Sequence, residues 1–316
     1  MQAKKSLGQN FLRDKEILKK IVDFARIEPT DTVVEVGPGE GTLTKFLLER
    51  AKKVIAVEKD GRMVEFLKEK FSKEIKEKKI EIIAGDILSP QVQKCLASLT
   101  EASTRNFSAE KYPCISGLVA KKYLLVGNIP YYITGALFKK FLESENPPAS
   151  IIFVVQKEVA ERIMARDGKE SILSISIKAY GKPEFGGIIK AGSFYPKPKV
   201  DSAIISVRNI RNDLIPNPSP CKGEGRKKEK EKRFFEILKA GFAHKRKFLI
   251  KNLAKKVSRT GLDRQKNIIL SQIEVSRTGL DMLRLREIFK KCGIPEKARA
   301  ENLKVENWIC LTKELV

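Results

Sequence analysis

The 316-residue chain is poor in the residues that build metal centres and membrane spans. It contains one histidine, His244, and its five cysteines form no Cys-X-X-Cys pair. The sequence therefore indicates neither a zinc site nor a disulfide framework, and it does not favour catalysis by histidine. No apolar run approaches the ~18 residues that a membrane-spanning helix needs, and the segment MQAKKSLGQNFL lacks the apolar core of a signal peptide. These absences predict a cytoplasmic protein without a resident metal.

Positive charge is what the chain has in excess. Lys and Arg total 63 against 39 Asp and Glu, a formal net charge of +24. A surplus of this size favours a polyanionic partner, because basic side chains displace counterions from a phosphate backbone. Charge alone does not separate RNA from DNA or from an anionic membrane surface, and a protein that is merely basic is an alternative.

The order of apolar patterns indicates an α/β domain. Short β-branched runs alternate with helical patterns from residue 14 to about residue 207, which produces a parallel sheet covered by helices. The strand candidates are 32–36, 53–57, 80–83, 123–126 and 151–155, followed by a terminal hairpin of 185–190 and 200–207.

A change of composition marks the end of this domain. Residues 213–233, DLIPNPSPCKGEGRKKEKEKR, replace the periodic pattern with proline, glycine and charge, which predicts an exposed basic linker. We therefore predict an α/β domain over 1–212 and a small helical domain over 234–316. Two features have no assigned function: an apparent insertion near 98–121, and the segment VSRTGLD, which occurs at 257–263 and again at 275–281.

A glycine turn follows the first predicted strand of the sheet. In VVEVGPGEGTLTKFLL, glycines at 37, 39 and 41 allow a sharp turn and let a ligand approach the backbone beside a helix N-terminus. The dinucleotide fingerprint G-x-G-x-x-G would need glycine at position 42, where the chain has Thr42. The loop therefore favours a nucleoside without a pyrophosphate.

Acidic residues follow at the ends of the next two strands. Glu58 lies where a carboxylate can accept hydrogen bonds from two ribose hydroxyls, and Asp86 can accept one from the exocyclic amine of an adenine. This succession is the pattern of S-adenosylmethionine-dependent methyltransferases, and EVGPGEGTLT resembles their first motif. The resemblance implies S-adenosylmethionine as cofactor and a Rossmann-like class I fold, with a mostly parallel seven-stranded sheet whose last strand is antiparallel.

The segment LLVGNIPYYIT places an amide, a proline and two aromatic rings directly after an apolar strand. Adenine N6 is a poor nucleophile, because its lone pair is delocalised, and two acceptors on its hydrogens favour its attack. We assign these acceptors to the Asn128 side-chain oxygen and the Pro130 carbonyl, with Tyr131 stacking on a base that has left its helix. The tetrapeptide NIPY resembles the signature of amino methyltransferases. A strand-ending turn with a core tyrosine is the alternative.

A closer resemblance comes from several blocks together. KKSLGQNFLRD, NIPYYIT, FVVQKEVAERI and FYPKPKVDSAIISV resemble the ribosomal RNA adenine N6-dimethyltransferase family, and GFAHKRKFLIKNL resembles the C-terminal domain of its small-subunit branch. This implies N6,N6-dimethylation of two adjacent adenines near the 3′ end of small-subunit rRNA, linked to ribosome biogenesis. We expect a monomer that acts on rRNA in an assembling subunit.

The resemblance also implies site residues. Cofactor contacts fall on Asn10, Leu12, Gly37, Gly39, Glu58, Asp86 and Asn128. Phe194 corresponds to a second aromatic against the flipped adenine, for which a core phenylalanine is the alternative. The basic residues Lys245, Arg246, Lys247 and Lys251 lie on a predicted helix and are candidates for phosphate contacts, or they form a solvated helix face.

Two other functions stay open at this point. The macrolide-resistance branch of the same family uses the same chemistry on a large-subunit rRNA adenine. A ribosome-assembly or nucleic-acid-binding factor with this fold would need no catalysis at all.

Overall fold

The computed structural model describes residue 4 and residues 7–98, 123–211, 214, 224–260 and 277–315. The insertion predicted near 98–121 lies outside these ranges except for residue 98, and the two VSRTGLD segments lie partly outside them. The chain forms two compact units: Met1–Met164 with Gly181–Asn212, and Ala165–Tyr180 with Asp213–Val316. Among the described helices, none combines the length and apolar character that crossing a membrane requires.

The first unit is an α/β fold. Its strands are β1 (Phe11–Leu12), β2 (Thr32–Val36), β3 (Lys53–Glu58), β4 (Ile80–Ala84), β5 (Tyr123–Asn128), β6 (Ser150–Gln156), β7 (Lys182–Ile189), β8 (Phe194–Tyr195) and β9 (Ser202–Arg208). Its helices are α1 (Lys15–Ala25), α2 (Thr42–Leu48), α3 (Gly61–Lys70), α4 (Ser72–Lys76), α5 (Pro90–Ser98), α6 (Thr134–Leu142) and α7 (Lys157–Met164).

Seven of these strands form one sheet in the order β4-β3-β2-β5-β6-β9-β7. The first five run parallel, and β9 is antiparallel to both of its neighbours. Strands β2 and β3 are buried along their whole length, as expected for parallel strands covered on both faces. The mostly parallel seven-stranded sheet with an antiparallel last strand is therefore confirmed.

This topology brings the carboxyl ends of β2, β3, β4 and β5 to the same edge of the sheet. A small antiparallel pairing of β1 with β8 lies apart from the sheet, with Leu12 opposite Phe194 and Phe11 opposite Tyr195. It fixes the end of the N-terminal segment immediately before α1, whose first turn is capped by the Asp14 carboxylate.

The second unit is helical. Its helices are α8 (Ile172–Tyr180), α9 (Glu224–Gly241), α10 (Leu249–Thr260), α11 (Arg277–Lys291) and α12 (Val305–Leu315). Trp308 is fully buried, and Phe242 stacks on it with ring centroids 5.6 Å apart. The small helical domain expected from the sequence thus has a core built around one indole.

The second unit departs from the predictions in four places. Helix α9 begins at Glu224, inside the segment predicted as a linker, and residues 165–180 group with this unit although the prediction placed them in 1–212. The long helical pattern after residue 233 is also broken between α9 and α10. A side chain at Gly241 would overlap the Trp308 indole and Leu249, so close packing accounts for the glycine where α9 ends.

The cysteines give the fourth departure. Cys292 and Cys310 form a disulfide, with their Cα atoms 5.7 Å apart. The sequence did not indicate this bond, because the two residues are 18 positions apart and match no short cysteine motif. They meet because one follows α11 and the other lies within α12.

Candidate active site

One cleft at the carboxyl edge of the sheet collects most of the predicted site residues. It is bounded by the ends of β2, β3, β4 and β5 and by residues 7–12 of the N-terminal segment. The predicted residues that line it are Asn10, Leu12, Gly37, Gly39, Glu58, Asp86, Asn128, Pro130 and Tyr131. The structure therefore brings together residues that are separated by more than a hundred positions in the chain.

The glycine turn leaves room for a ligand at Gly37 and none at Gly39. Gly37 and Gly39 have φ angles of 66° and 55°, in the left-handed region that glycine adopts without strain. A Cβ at Gly39 would lie 2.8 Å from the Phe11 ring, whereas a Cβ at Gly37 would meet no atom within 4 Å. The open space at Gly37 faces a cleft of the kind that a nucleoside cofactor needs.

Glu58 is held rigidly at the end of β3. It is buried, and its two carboxylate oxygens accept hydrogen bonds from the Gly39 N–H at 3.1 Å and the Asp60 N–H at 2.8 Å. Burial raises the pKa of Glu58, and these backbone donors act in the opposite direction. Since each oxygen has a second lone pair, the carboxylate can still accept from two ribose hydroxyls. The carboxylate acceptor and the open turn at this edge thus fit S-adenosylmethionine.

Asp86 carries an ion pair that the sequence did not predict. Its Oδ2 accepts from Lys59 Nζ at 2.8 Å, and its Oδ1 accepts from the Leu88 N–H at 2.9 Å. The lysine lowers the pKa of Asp86 below its ordinary value, so this carboxylate is ionised and can act as an acceptor. The sequence feature that could have indicated a role for Lys59 is its position directly after Glu58, at the end of a strand.

Asn128 has its amide oriented by the N-terminal segment. Its Nδ2 donates to the backbone carbonyl of Asn10 at 2.8 Å. This bond fixes which end of the amide is the donor, so Oδ1 is the end available as an acceptor. Within the described residues, no protein donor is bonded to that oxygen.

The last two residues of NIPY, Pro130 and Tyr131, form hydrogen bonds within the protein. The Pro130 carbonyl accepts from the Ile133 N–H at 3.2 Å, and the Tyr131 hydroxyl shares a 2.7 Å hydrogen bond with Ser202 Oγ. A carbonyl has two lone pairs, so Pro130 keeps one for a ligand. The Tyr131 ring is half-buried, and its hydroxyl is held against β9.

Sequence reasoning missed the residue that anchors the N-terminal segment. Asp60 is 3% exposed, and its carboxylate accepts from Lys4 Nζ at 3.3 Å, Gln9 Nε2 at 3.4 Å and Arg62 Nη2 at 2.7 Å. The Arg62 guanidinium in particular holds the pKa of Asp60 well below its ordinary value. These contacts tie the segment that carries Asn10 to the end of β3, and no local pattern predicts a contact over more than fifty positions.

Two groups of predicted site residues lie outside the cleft. Phe194 is 4% exposed and belongs to the hydrophobic core with Leu12 and Leu18, so its stacking on an adenine stays a prediction that requires the ring to move. Three of the basic candidates lie in the connection between α9 and α10, and only Lys251 lies on a helix, which corrects the predicted helical run. All four are exposed; they are Lys245, Arg246, Lys247 and Lys251.

Comparison with known proteins decides the family. The family model described as ribosomal RNA adenine dimethylase matches residues 1–291. The chain belongs to this family. Relatives named ribosomal RNA small subunit methyltransferase A include one from Dehalococcoides mccartyi, 36% identical over 98% of this chain and 88% of the relative. Another, from Fusobacterium nucleatum, is 32% identical over 98% of this chain and 96% of the relative.

Solved structures agree on the fold of the rRNA adenine dimethylase family. A dimethyladenosine transferase from Plasmodium falciparum matches with a TM-score of 0.68 at 24% identity, over 97% of this chain and 98% of that one. The 23S rRNA methyltransferase ErmE matches with a TM-score of 0.64 at 24% identity, over 97% of this chain and 99% of that one. Membership of the family confirms the predicted enzyme class, a methyltransferase.

Proposed function

We propose that this chain uses S-adenosylmethionine to dimethylate N6 of two adjacent adenines near the 3′ end of small-subunit rRNA, as a cytoplasmic monomer acting late in subunit assembly. One observation carries the proposal: the oriented amide of Asn128 lies in the same cleft as the open turn at Gly37 and the carboxylate of Glu58. An acceptor for an adenine amine and a cradle for a nucleoside cofactor are thus combined in one site.

The residues that would hold the cofactor follow from their contacts. Gly37 offers open backbone, Glu58 offers lone pairs for the ribose hydroxyls, and Asp86 offers an acceptor for the adenine amine. When bound, S-adenosylmethionine supplies a methyl group on a sulfonium, which a nucleophile attacks in line. The contribution of the chain is to fix the two reactants in this geometry, which lowers the entropic part of the barrier.

The chain would activate the adenine amine with acceptors rather than with a base. Asn128 Oδ1 and the free lone pair of the Pro130 carbonyl would accept the N6 hydrogens, favour a pyramidal nitrogen and stabilise its developing positive charge. Tyr131, held by Ser202, would pack against the base. A neutral amine needs no strong base to attack a sulfonium, and the surplus proton of the product can pass to water.

The choice of the small subunit over the large subunit is supported by the names of the relatives. The chain is 32–36% identical to proteins named for the small subunit, whereas its 24% identity to ErmE speaks for the fold alone. The basic surplus of the chain fits either RNA.

A methyl-transfer assay tests the proposal. The protein is incubated with labelled S-adenosylmethionine and either unmethylated small subunits or large-subunit rRNA, and the nucleosides are identified by mass spectrometry. Dimethyladenosine confined to small-subunit rRNA is the expected result. Dimethyladenosine in large-subunit rRNA would move the chain to the macrolide-resistance type of activity. Cofactor binding without any product would indicate a non-catalytic assembly factor.

A further inference from the structure

An exposed tyrosine at the rim of the cleft has no role in the chemistry described above. Tyr132 is 66% exposed, the largest fraction among the large apolar side chains that the structure describes. It also lines the cleft, next to Tyr131. An aromatic ring this exposed has an apolar face in contact with water. Because the ring lines a ligand site, a planar ligand group can stack on that face.

The N-terminal segment lies close to one side of the ring. A Cβ added at Gly8 would lie 3.4 Å from Cε1 and 3.5 Å from Cδ1 of Tyr132, which is ordinary van der Waals distance. The backbone around it is also fixed, because Tyr131–Ile133 form a 3-10 turn whose Tyr131 carbonyl accepts from Thr134 Oγ1 at 3.0 Å. A tyrosine with few rotatable bonds and a fixed backbone loses little entropy when it binds.

A basic side chain lines the same cleft as this ring. Lys59 is paired with Asp86 at 2.8 Å, and its side chain remains 55% exposed. An open aromatic face beside a basic side chain is the combination with which proteins hold single-stranded nucleic acid. Tyr132 and Lys59 both line the cleft and are both largely exposed, which points to a nucleotide next to the one that reacts.

We propose that Tyr132 is the stacking platform for the nucleotide adjacent to the target adenine. The proposal rests on the proposed function, in which each of two neighbouring adenines is the target in turn. The neighbour is then an adenine that either carries methyl groups or lacks them. A stacking surface accepts both forms, since it contacts the face of the base and does not read its N6 edge.

Steady-state kinetics on unmethylated small subunits test this platform. Tyr132→Ala should raise the KM for the subunits by about 5- to 150-fold, the range that corresponds to losing one base–aromatic stack. The KM for S-adenosylmethionine should stay unchanged. Tyr132→Phe and Tyr132→Trp keep an aromatic face and should stay within about twofold of the wild type. Tyr195→Ala is the matched control, because Tyr195 is 56% exposed in the same unit but does not line the cleft.

Several outcomes would overturn the proposal. A Tyr132→Ala enzyme equal to the Tyr195→Ala control would show that the ring binds no base. A rise in the KM for the cofactor alone would place the ring in the cofactor site, and equal losses in Tyr132→Phe and Tyr132→Ala would make the hydroxyl responsible. If the wild-type protein methylates no small subunit, both the proposed function and this inference are wrong. If the wild type methylates and Tyr132→Ala is unaffected, only the inference is wrong.

Discussion

Each of the two units fixes an asparagine amide on backbone carbonyls, and the consequences differ. In the first unit, Asn128 Nδ2 donates to the Asn10 carbonyl at 2.8 Å at the wall of a cleft. In the second unit, Asn252 Nδ2 donates to the Gly241 carbonyl at 2.7 Å and the His244 carbonyl at 3.1 Å, and the residue is 4% exposed. The same interaction orients an acceptor toward a ligand site in one unit and closes a helix connection in the other. Empty space beside the amide, and not the residue type, distinguishes the two roles.

The largest effect is expected from removing the amide in the cleft. Asn128→Ala should lower the rate constant of methyl transfer by at least about 10²- to 10³-fold, the usual loss when one group that stabilises developing charge is removed. Single-turnover transfer to unmethylated small subunits measures this loss at saturating cofactor and substrate. Asn252→Ala is the matched control and should leave that rate constant near the wild-type value. An Asn128→Ala enzyme that retains more than about a tenth of the activity would contradict the role assigned to the amide.

Buried carboxylates also distinguish the two units, because in the described part of the chain they all lie in the first unit: Glu35, Glu58 and Asp60. Burial raises the pKa of Glu35 from 4.5 to about 8. The folded state then keeps a proton that the unfolded chain releases, so the free energy of unfolding falls as the pH rises from 4.5 to 8. The slope reaches at most about 1.4 kcal/mol per pH unit and levels off above pH 8.

Glu35→Gln tests this slope, because glutamine resembles the protonated acid and does not titrate. Urea unfolding at several pH values between 5 and 8 should show a shallower decline for Glu35→Gln than for the wild type. Glu65→Gln, at a side chain that is 73% exposed, is the control and should keep the wild-type slope. Parallel curves for all three proteins would show that Glu35 titrates normally in the fold.

The disulfide gives the second unit a constraint that the first does not show in its described residues. Cys292 and Cys310 close a loop of 18 positions, and a bond that closes a loop of this size stabilises by roughly 3 kcal/mol. Cys310→Ser should therefore lower the free energy of unfolding of the second unit by about that amount under non-reducing conditions. A reducing agent should lower the wild type to the same value and leave the variant unchanged. A wild type that is insensitive to the reductant would mean that the bond contributes no stability.

The two units also differ in how much of them the sequence predicted. Strands β2 and β3 begin where the patterns placed them, because β-branched runs between polar segments are a local signal. The strand-end motifs then located Glu58, Asp86 and Asn128, since parallel strands end at one edge. The sequence did not predict the contacts of Asp60 with Lys4 and Gln9, the break after Gly241, or the Cys292–Cys310 bond. Each of these depends on a partner far away in the chain, about which a local pattern carries no information.

The smallest effect is expected from replacing Asn252, the asparagine of the second unit. Asn252→Ala would leave the Gly241 and His244 carbonyls without their side-chain donor and should lower the free energy of unfolding by about 1–3 kcal/mol. Asn307→Ala is the matched control. Asn307 donates a 3.2 Å hydrogen bond to the Cys292 carbonyl and accepts a 3.1 Å bond from the Lys304 N–H, but it is half-buried, so water can replace these bonds and the substitution should cost less. Hydrogen exchange should be faster at the Lys247 N–H, which bonds the His244 carbonyl. If Asn252→Ala instead slowed methyl transfer as much as Asn128→Ala, the assignment of one asparagine to catalysis and the other to folding would fail.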